Sequence, residues 1–147
     1  MVNFTLPLSP KEAALSKQST RVAYIEDESE MIDLVRLILG RQGFTVLGAL
    51  GGKEGVELVQ KEKPELILLD LMMPDLDGWD VYHQIKSDET TRDIPVIVIT
   101  AKAQDIDKIL GLRIAKVDDY IAKPFSPEEL IVRIERVMAG APKKAEG

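Results

Sequence analysis

Short runs of consecutive apolar residues, each followed by a segment with helical periodicity, constrain the fold of this chain most. The run at residues 96–99 reads "VIVI" and the run at 66–69 reads "LILL", without the polar alternation of a half-exposed strand. A strand that is apolar at every position is buried on both faces, which is typical of a parallel sheet covered by helices on both sides. Right-handed crossovers between such units predict a doubly wound α/β fold.

Five strand-helix units are predicted from Arg21 onward. Pro64 is expected to end the second helix, and Gly43 is a plausible stop for the first. Ser126, Pro127 and Glu129 form a capping box before the last helix. The predicted strands are residues 21–27, 45–50, 65–70, 94–101 and 117–123, and the predicted helices are residues 29–44, 52–63, 78–88, 104–116 and 126–140.

Length and composition exclude several classes of protein. The 147 residues suit one domain, which we place at residues 21–140, after an extension (1–20, with a possible short helix near 10–17) and before a tail or linker start (141–147). The absence of cysteine excludes disulfides and thiolate metal sites, and it suits a reducing cytoplasm. A net charge of −6 argues against nucleic acid binding by this chain alone. We find neither a signal-peptide pattern nor an apolar run of membrane-spanning length, so we expect a cytoplasmic protein without a membrane partner.

Charged and hydroxyl side chains follow or end four of the predicted strands. Glu26 and Asp27 end the first strand, Asp70 the third, Thr100 the fourth and Lys123 the fifth. In doubly wound sheets the ligand site lies at the carboxyl ends of the strands, where the strand order reverses. We therefore expect three carboxylates, a hydroxyl and an ammonium group to meet in one crevice.

Three carboxylates in one crevice repel each other, so each needs a reason to stay ionised. Mg²⁺ supplies one, because it prefers oxygen ligands and usually takes one or two protein carboxylates together with water and a phosphate oxygen. A carboxylate in such a site can itself be the nucleophile and form an acyl phosphate. Lys123 and Thr100 would then neutralise or hydrogen-bond the oxygens of the transferred group.

These residues, in this order at the ends of successive strands, resemble the receiver domain of bacterial two-component response regulators. The resemblance covers about residues 21–139, and the stretch "DDYIAKPFSPEEL" is most similar to the subgroup that carries winged-helix DNA-binding domains. It implies a flavodoxin-like five-stranded sheet with strand order 2-1-3-4-5 and five helices. It also implies a phosphoacceptor switch that receives a phosphoryl group from a sensor histidine kinase and controls an effector or output domain that the sequence does not identify.

The resemblance assigns a role to each residue at the strand ends. Asp70 in "LLDLMMPDLDG" would be the phosphoacceptor. Asp27 would be a direct Mg²⁺ ligand, Glu26 would act mostly through water, and the backbone carbonyl of Met72 would be a further ligand. Asp75 and Asp77 are instead expected to be loop or helix-capping residues.

Three further residues belong to the switch that the resemblance implies. Thr100 would be the switch hydroxyl, Lys123 the lysine that pairs with phosphate, and Tyr120 the mobile aromatic ring. The Lys123–Pro124 bond resembles the cis peptide of the family. Phosphorylation would draw Thr100 and Lys123 inward, let Tyr120 turn in, and change the face made by the fourth predicted helix, the fifth strand and the fifth predicted helix.

That face is also where relatives with DNA-binding outputs form dimers through charge pairs. Asp118, Asp119, Glu129 and Arg133 match it, and an Asp119–Arg133 pair could form across the two-fold axis of such a dimer. Leu110 stands where a basic residue is usual, and residues 116–117 replace the usual Gly-Ala at the end of the fourth predicted helix. We expect a monomer without phosphate and a weak homodimer promoted by phosphate, because one exposed pair contributes only about 0.2–1 kcal/mol.

Two other functions fit part of the pattern. A Mg²⁺-dependent phosphohydrolase would also work through an aspartyl phosphate, but such enzymes of the haloacid dehalogenase type carry an acid two residues after the nucleophile, where this chain has Met72. A protein-interaction module that needs no phosphate is the third alternative, and the complete set of pocket residues argues against it.

Overall fold

Five parallel strands form one sheet in the computed structural model, which describes residues 20–101 and 117–140. The order across the sheet is β2-β1-β3-β4-β5, and every neighbouring pair is parallel. This confirms the doubly wound α/β fold with the flavodoxin-like order. The strands are β1 Arg21–Ile25, β2 Thr45–Ala49, β3 Leu66–Asp70, β4 Val96–Thr100 and β5 Asp119–Ala122.

Four helices connect or follow these strands within the described residues. They are α1 Ser29–Gly40, α2 Gly52–Glu62, α3 Gly78–Ser87 and α4 Pro127–Met138. The helix predicted at 104–116, the short helix near 10–17 and the tail at 141–147 lie outside the described residues, as does the expectation about Leu110. None of the helices in the described ranges has the length and apolar character that crossing a bilayer requires.

Alternate side chains of the central strands enter two separate apolar cores, which explains why the runs at residues 66–69 and 96–99 are apolar at every position. In β3, Ile67 and Leu69 pack in the core that contains residues of α2 and α3. Leu66 and Leu68 pack in the core that contains residues of α1 and α4. All five residues of β3 are buried, because helices cover both faces of the sheet.

The helix ends follow the predicted signals, with one shift. The Ser126 side chain accepts a hydrogen bond from the backbone N–H of Glu129 at 3.1 Å, and Pro127 is the first residue of α4. Helix α1 ends at Gly40, four residues before the predicted end at residue 44. The chain turns there, and Gly43 has a φ of 91°, a left-handed conformation that glycine adopts at low cost.

Candidate functional site

Three carboxylates converge at the carboxyl edge of the sheet. Glu26 directly follows β1, and its backbone N–H bonds the carbonyl of Ala49 at 3.0 Å. Asp70 is the last residue of β3, which lies next to β1 in the sheet. Glu26, Asp27 and Asp70 each offer a carboxylate oxygen, and these three oxygens lie within 4.8 Å of one another. The structure thus brings together the three acidic residues that the sequence predicted.

Glu26 is fully buried, and both of its carboxylate oxygens have partners. Oε2 accepts hydrogen bonds from the Tyr24 hydroxyl at 2.9 Å and from the Lys123 ammonium group at 2.6 Å. Oε1 accepts one from the backbone N–H of Glu28 at 3.3 Å. These contacts satisfy a charge that would otherwise be costly in the interior.

Asp70 is also buried, with 3% of its surface exposed. Its Oδ1 accepts a hydrogen bond from the backbone N–H of Met72 at 2.9 Å, and its Oδ2 lies 3.3 Å from the Lys123 ammonium nitrogen. Lys123 therefore bridges the carboxylates of Glu26 and Asp70, and it lies closer to Glu26.

The protonation equilibria of these groups reflect burial and their mutual contacts. Burial, and next the neighbouring Glu26 carboxyl, raise the pKa of Asp70 to about 6, although the Met72 hydrogen bond opposes this. Burial disfavours ionised Glu26 as well, but the hydrogen bond from Lys123 and its other contacts hold the pKa of Glu26 below its ordinary value. Burial alone would lower the pKa of Lys123, whereas its bonds to the two carboxylates raise it. Burial and Glu26 also raise the pKa of Asp27.

The donor set fits a small divalent cation. Carboxylate oxygens are the ligands that Mg²⁺ prefers, and a divalent charge would stabilise the ionised forms of Asp27 and Asp70, whose pKa values are raised. Asp27 is partly exposed, so water and a phosphate could reach a cation held there. Met72 contributes a backbone N–H to Asp70, and about half of its surface is exposed.

Thr100 and Lys123 lie next to each other at the ends of neighbouring strands. Thr100 is the last residue of β4 and is 2% exposed. Its backbone carbonyl accepts a hydrogen bond from the Lys123 backbone N–H at 2.8 Å. The peptide bond after Lys123, to Pro124, is cis as expected from the sequence.

Tyr120 contacts a charged network on β5 and α4. The Arg133 guanidinium carbon lies 5.8 Å from the centre of the Tyr120 ring. Arg133 also forms a 2.7 Å ion pair with the buried Asp119 and lies 3.6 Å from Glu129. The Asp119–Arg133 pair in this structure thus lies within one chain, whereas the pair expected from the sequence lies across a dimer interface and stays a prediction.

The loop between β3 and α3 contains two further aspartates, and the prediction that they are loop or cap residues is correct. Asp77 caps α3 by accepting a hydrogen bond from the backbone N–H of Trp79 at 2.8 Å. Asp75 accepts hydrogen bonds from the backbone N–H groups of Gly52 and Lys53, at the start of α2, at 3.1 and 3.3 Å.

Sequence reasoning missed two of these contacts. Tyr24 lies two residues before Glu26, and the two-residue period of a strand indicates that both side chains point the same way. That spacing could have suggested the bond between them. The contact from Asp75 to Gly52 spans 23 residues, and no local pattern predicts it.

Comparison with known proteins identifies a protein family for most of the chain. Residues 22–135 match the family of the response regulator receiver domain. Regulatory protein VanRc of Enterococcus gallinarum is 38% identical over 117 residues, which cover 80% of this chain and 49% of that protein. The chain thus spans about half the length of that curated relative.

Two solved structures are similar in fold and in sequence. The receiver domain of response regulator 1452 from Francisella is 29% identical, with a TM-score of 0.72 over 82% of this chain and 98% of that one. The N-terminal domain of a response regulator receiver protein from Methanoculleus marisnigri JR1 is 34% identical, with a TM-score of 0.62 over 81% of this chain and 96% of that one.

Proposed function

This chain belongs to the response regulator receiver domain family, and we propose that it takes a phosphoryl group from a sensor histidine kinase onto Asp70. The observation that carries this proposal is the convergence of three carboxylates, with Lys123 bridging two of them, at the carboxyl edge of the sheet. Residues 21–140 are the receiver domain, residues 1–20 an extension, and residues 141–147 a tail or linker start.

Asp70 acts as the nucleophile. One of its carboxylate oxygens attacks the phosphorus of the donor phosphohistidine, and the bond from phosphorus to the histidine nitrogen breaks as the new phosphorus–oxygen bond forms. The leaving nitrogen takes up a proton from solvent. The switch is reset by hydrolysis: water attacks the phosphorus, the bond from phosphorus to the Asp70 oxygen breaks, and a proton of the water passes to solvent. Inorganic phosphate leaves with the oxygen of the water, and the Asp70 carboxylate is regenerated.

Glu26, Asp27 and Asp70 would hold Mg²⁺, with the Met72 carbonyl as a further ligand and Glu26 acting mostly through water. The ion would supply positive charge to the phosphoryl oxygens. Lys123, whose ammonium nitrogen lies 2.6 Å from the Glu26 carboxylate, adds a further positive charge near the phosphoryl oxygens. Thr100 donates a hydrogen bond from its hydroxyl to a phosphoryl oxygen.

The signal leaves the pocket through β4 and β5. Movement of Thr100 and Lys123 toward the phosphoryl group makes room for Tyr120, whose ring lies beside Arg133. The face that includes β5 and α4 then changes and binds an effector or output domain. The stretch "DDYIAKPFSPEEL" supports membership of the winged-helix subgroup. In this chain the same face forms a weak homodimer that phosphate promotes.

Intact-mass measurement after incubation with acetyl phosphate and Mg²⁺ tests the acceptor. The protein should gain one phosphoryl group, and Asp70→Asn should gain none. Asp80→Asn is the control, because Asp80 is an exposed aspartate in the first turn of α3. Labelling of Asp70→Asn to the same extent as Asp80→Asn would refute the assignment.

A phosphohydrolase is the weaker alternative. Turnover through an aspartyl phosphate needs an acid near the leaving group, and position 72 is Met, whose backbone N–H bonds Asp70. Membership of the receiver family also disfavours that function.

A further inference from the structure

We infer that Asp75 is a positioning residue for the metal-dependent reaction, because its carboxylate fixes the loop after Asp70 to the start of α2. The inference rests on the proposed function of Asp70 and adds a residue that lies outside the pocket. Asp75 does not contact the reacting atoms in this arrangement. It acts through the backbone of residues 71–77.

The Asp75 carboxylate supplies the cap that α2 does not have locally. The residue before α2 is Gly51, which has no side chain to accept a hydrogen bond from the first turn. Asp75 uses one oxygen for the backbone N–H of Gly52 and the other for that of Lys53. The Gly52 bond is the main cause that lowers the pKa of Asp75 below its usual range.

Glycine at the start of α2 permits this close approach. A Cβ atom on Gly51 would lie 2.9 Å from Oδ2 of Asp75, and one on Gly52 would lie 2.8 Å from the Cβ atom of Leu76. The loop tip, Asp75 and Leu76, is therefore packed directly against the first turn of α2. Gly51 has a φ of −176°, an extended conformation that other residues adopt without strain.

The base of the same loop holds the backbone that contacts Asp70. Gly78 donates its backbone N–H to the carbonyl of Leu71 at 3.2 Å, and Met72 pairs with Asp77 in an isolated bridge. Met72 in turn bonds Oδ1 of Asp70. The bridge partner of Met72, Asp77, lies only two residues after Asp75, so loss of the tip contact reaches Met72 through this short connection and loosens its backbone.

A looser loop is competent to bind the cation for only part of the time, and apparent affinity falls by that fraction. Removal of a helix cap lowers the equilibrium constant that favours the capped over the uncapped structure by a factor of about 3 to 10, within the range for such substitutions. We expect Asp75→Ala to raise the apparent Mg²⁺ dissociation constant by about that factor, with phosphorylation recovering at saturating Mg²⁺.

The test compares the full chain with Asp75→Ala, Gly51→Ala and the control Asp80→Asn. Gly51→Ala keeps the carboxylate but displaces it from the start of α2, and Asp80→Asn removes one charge from the first turn of a different helix. Mg²⁺ binding is followed by the fluorescence of Trp79, the single tryptophan of the chain. Amide exchange by NMR is measured without metal.

Asp75→Ala and Gly51→Ala should both weaken Mg²⁺ binding and speed amide exchange at Met72, and Asp80→Asn should do neither. A purely local cap would speed exchange at Gly52 and Lys53 alone and leave Mg²⁺ binding unchanged, which would overturn the inference. Failure of the parent protein to bind Mg²⁺ or to accept a phosphoryl group would refute the proposed function instead. The exchange rate at Met72 would still decide whether Asp75 holds the loop.

Discussion

Gly78 allows the start of α3 to contact the backbone that carries Asp70, and Gly78→Ala should disrupt this contact. A Cβ atom at this position would lie 2.4 Å from the Cα atom of Leu71 and 2.9 Å from the carbonyl oxygens of Asp70 and Leu71. All three atoms belong to the backbone, so no side-chain rotation relieves the overlap. The helix and the end of β3 must separate instead.

The magnitude of the effect follows from these distances. Ordinary contact begins at 3.4 Å, so the Leu71 backbone must move by the difference from 2.4 Å, about 1 Å. Overpacking of this kind costs about 1–3 kcal/mol. The separation also lengthens the 3.2 Å hydrogen bond from the Gly78 N–H to the Leu71 carbonyl, a loss of about 1 kcal/mol. The higher helix propensity of alanine offsets up to about 1 kcal/mol.

The net loss of about 1–3 kcal/mol should lower the melting temperature by about 2–12 °C for a chain of this length. Thermal unfolding followed by circular dichroism measures it. Gly40→Ala is the matched control, because Gly40 also lies at a helix end and a Cβ atom there meets nothing within 4 Å. It should leave the melting temperature unchanged or slightly higher. Equal melting temperatures for Gly78→Ala and Gly40→Ala would refute the steric argument.

Three other predictions concern charges. Asp27→Asn should abolish most Mg²⁺-dependent phosphorylation without lowering the melting temperature of the metal-free protein, because it removes a charge that burial and Glu26 disfavour; a lower melting temperature would contradict this. Lys123→Met should destabilise the fold by about 2–4 kcal/mol in urea titrations, because it leaves Glu26 buried without its cation, and adding Glu26→Gln should recover part of the loss. Strictly additive effects of the two substitutions would contradict that coupling. Beryllofluoride, a phosphoryl mimic, should shift the protein from monomer toward dimer in sedimentation, and Arg133→Glu should prevent the shift, since it reverses a charge on the face through which the dimer is expected to form; a tight dimer indifferent to both would show that the face is misassigned.

The parallel sheet could be predicted because its central strands are apolar at consecutive positions, a pattern that a single sequence shows without an alignment. A buried strand such as 66–69 is apolar at each position only because two cores need it, and the structure has both. The end of α1 was predicted less well. Gly43 was read as the stop, whereas the helix ends at Gly40 and Gly43 completes the turn that follows.

For the candidate site, the sequence predicted which residues lie together but not how they bond. Because the carboxyl ends of parallel strands share one edge of the sheet, the sequence alone predicts that Glu26, Asp70 and Lys123 lie near each other. The sequence contains no information on which carboxylate Lys123 approaches more closely. In the structure the ammonium nitrogen of Lys123 lies 2.6 Å from Glu26 and 3.3 Å from Asp70. Such a difference depends on side-chain conformation and on competition between partners such as Tyr24.

The bonding of Lys123 also explains how a pocket with three carboxylates can exist in a stable fold. Its ammonium group neutralises Glu26, the most buried of the three, and remains within reach of Asp70. Asp27 and Asp70 keep raised pKa values, so their charges are the ones that an added cation would stabilise most. Binding of a divalent ion and a cost in stability of the metal-free fold would therefore have the same physical origin. Substitutions that relieve the cost at Asp27 should also weaken the metal site.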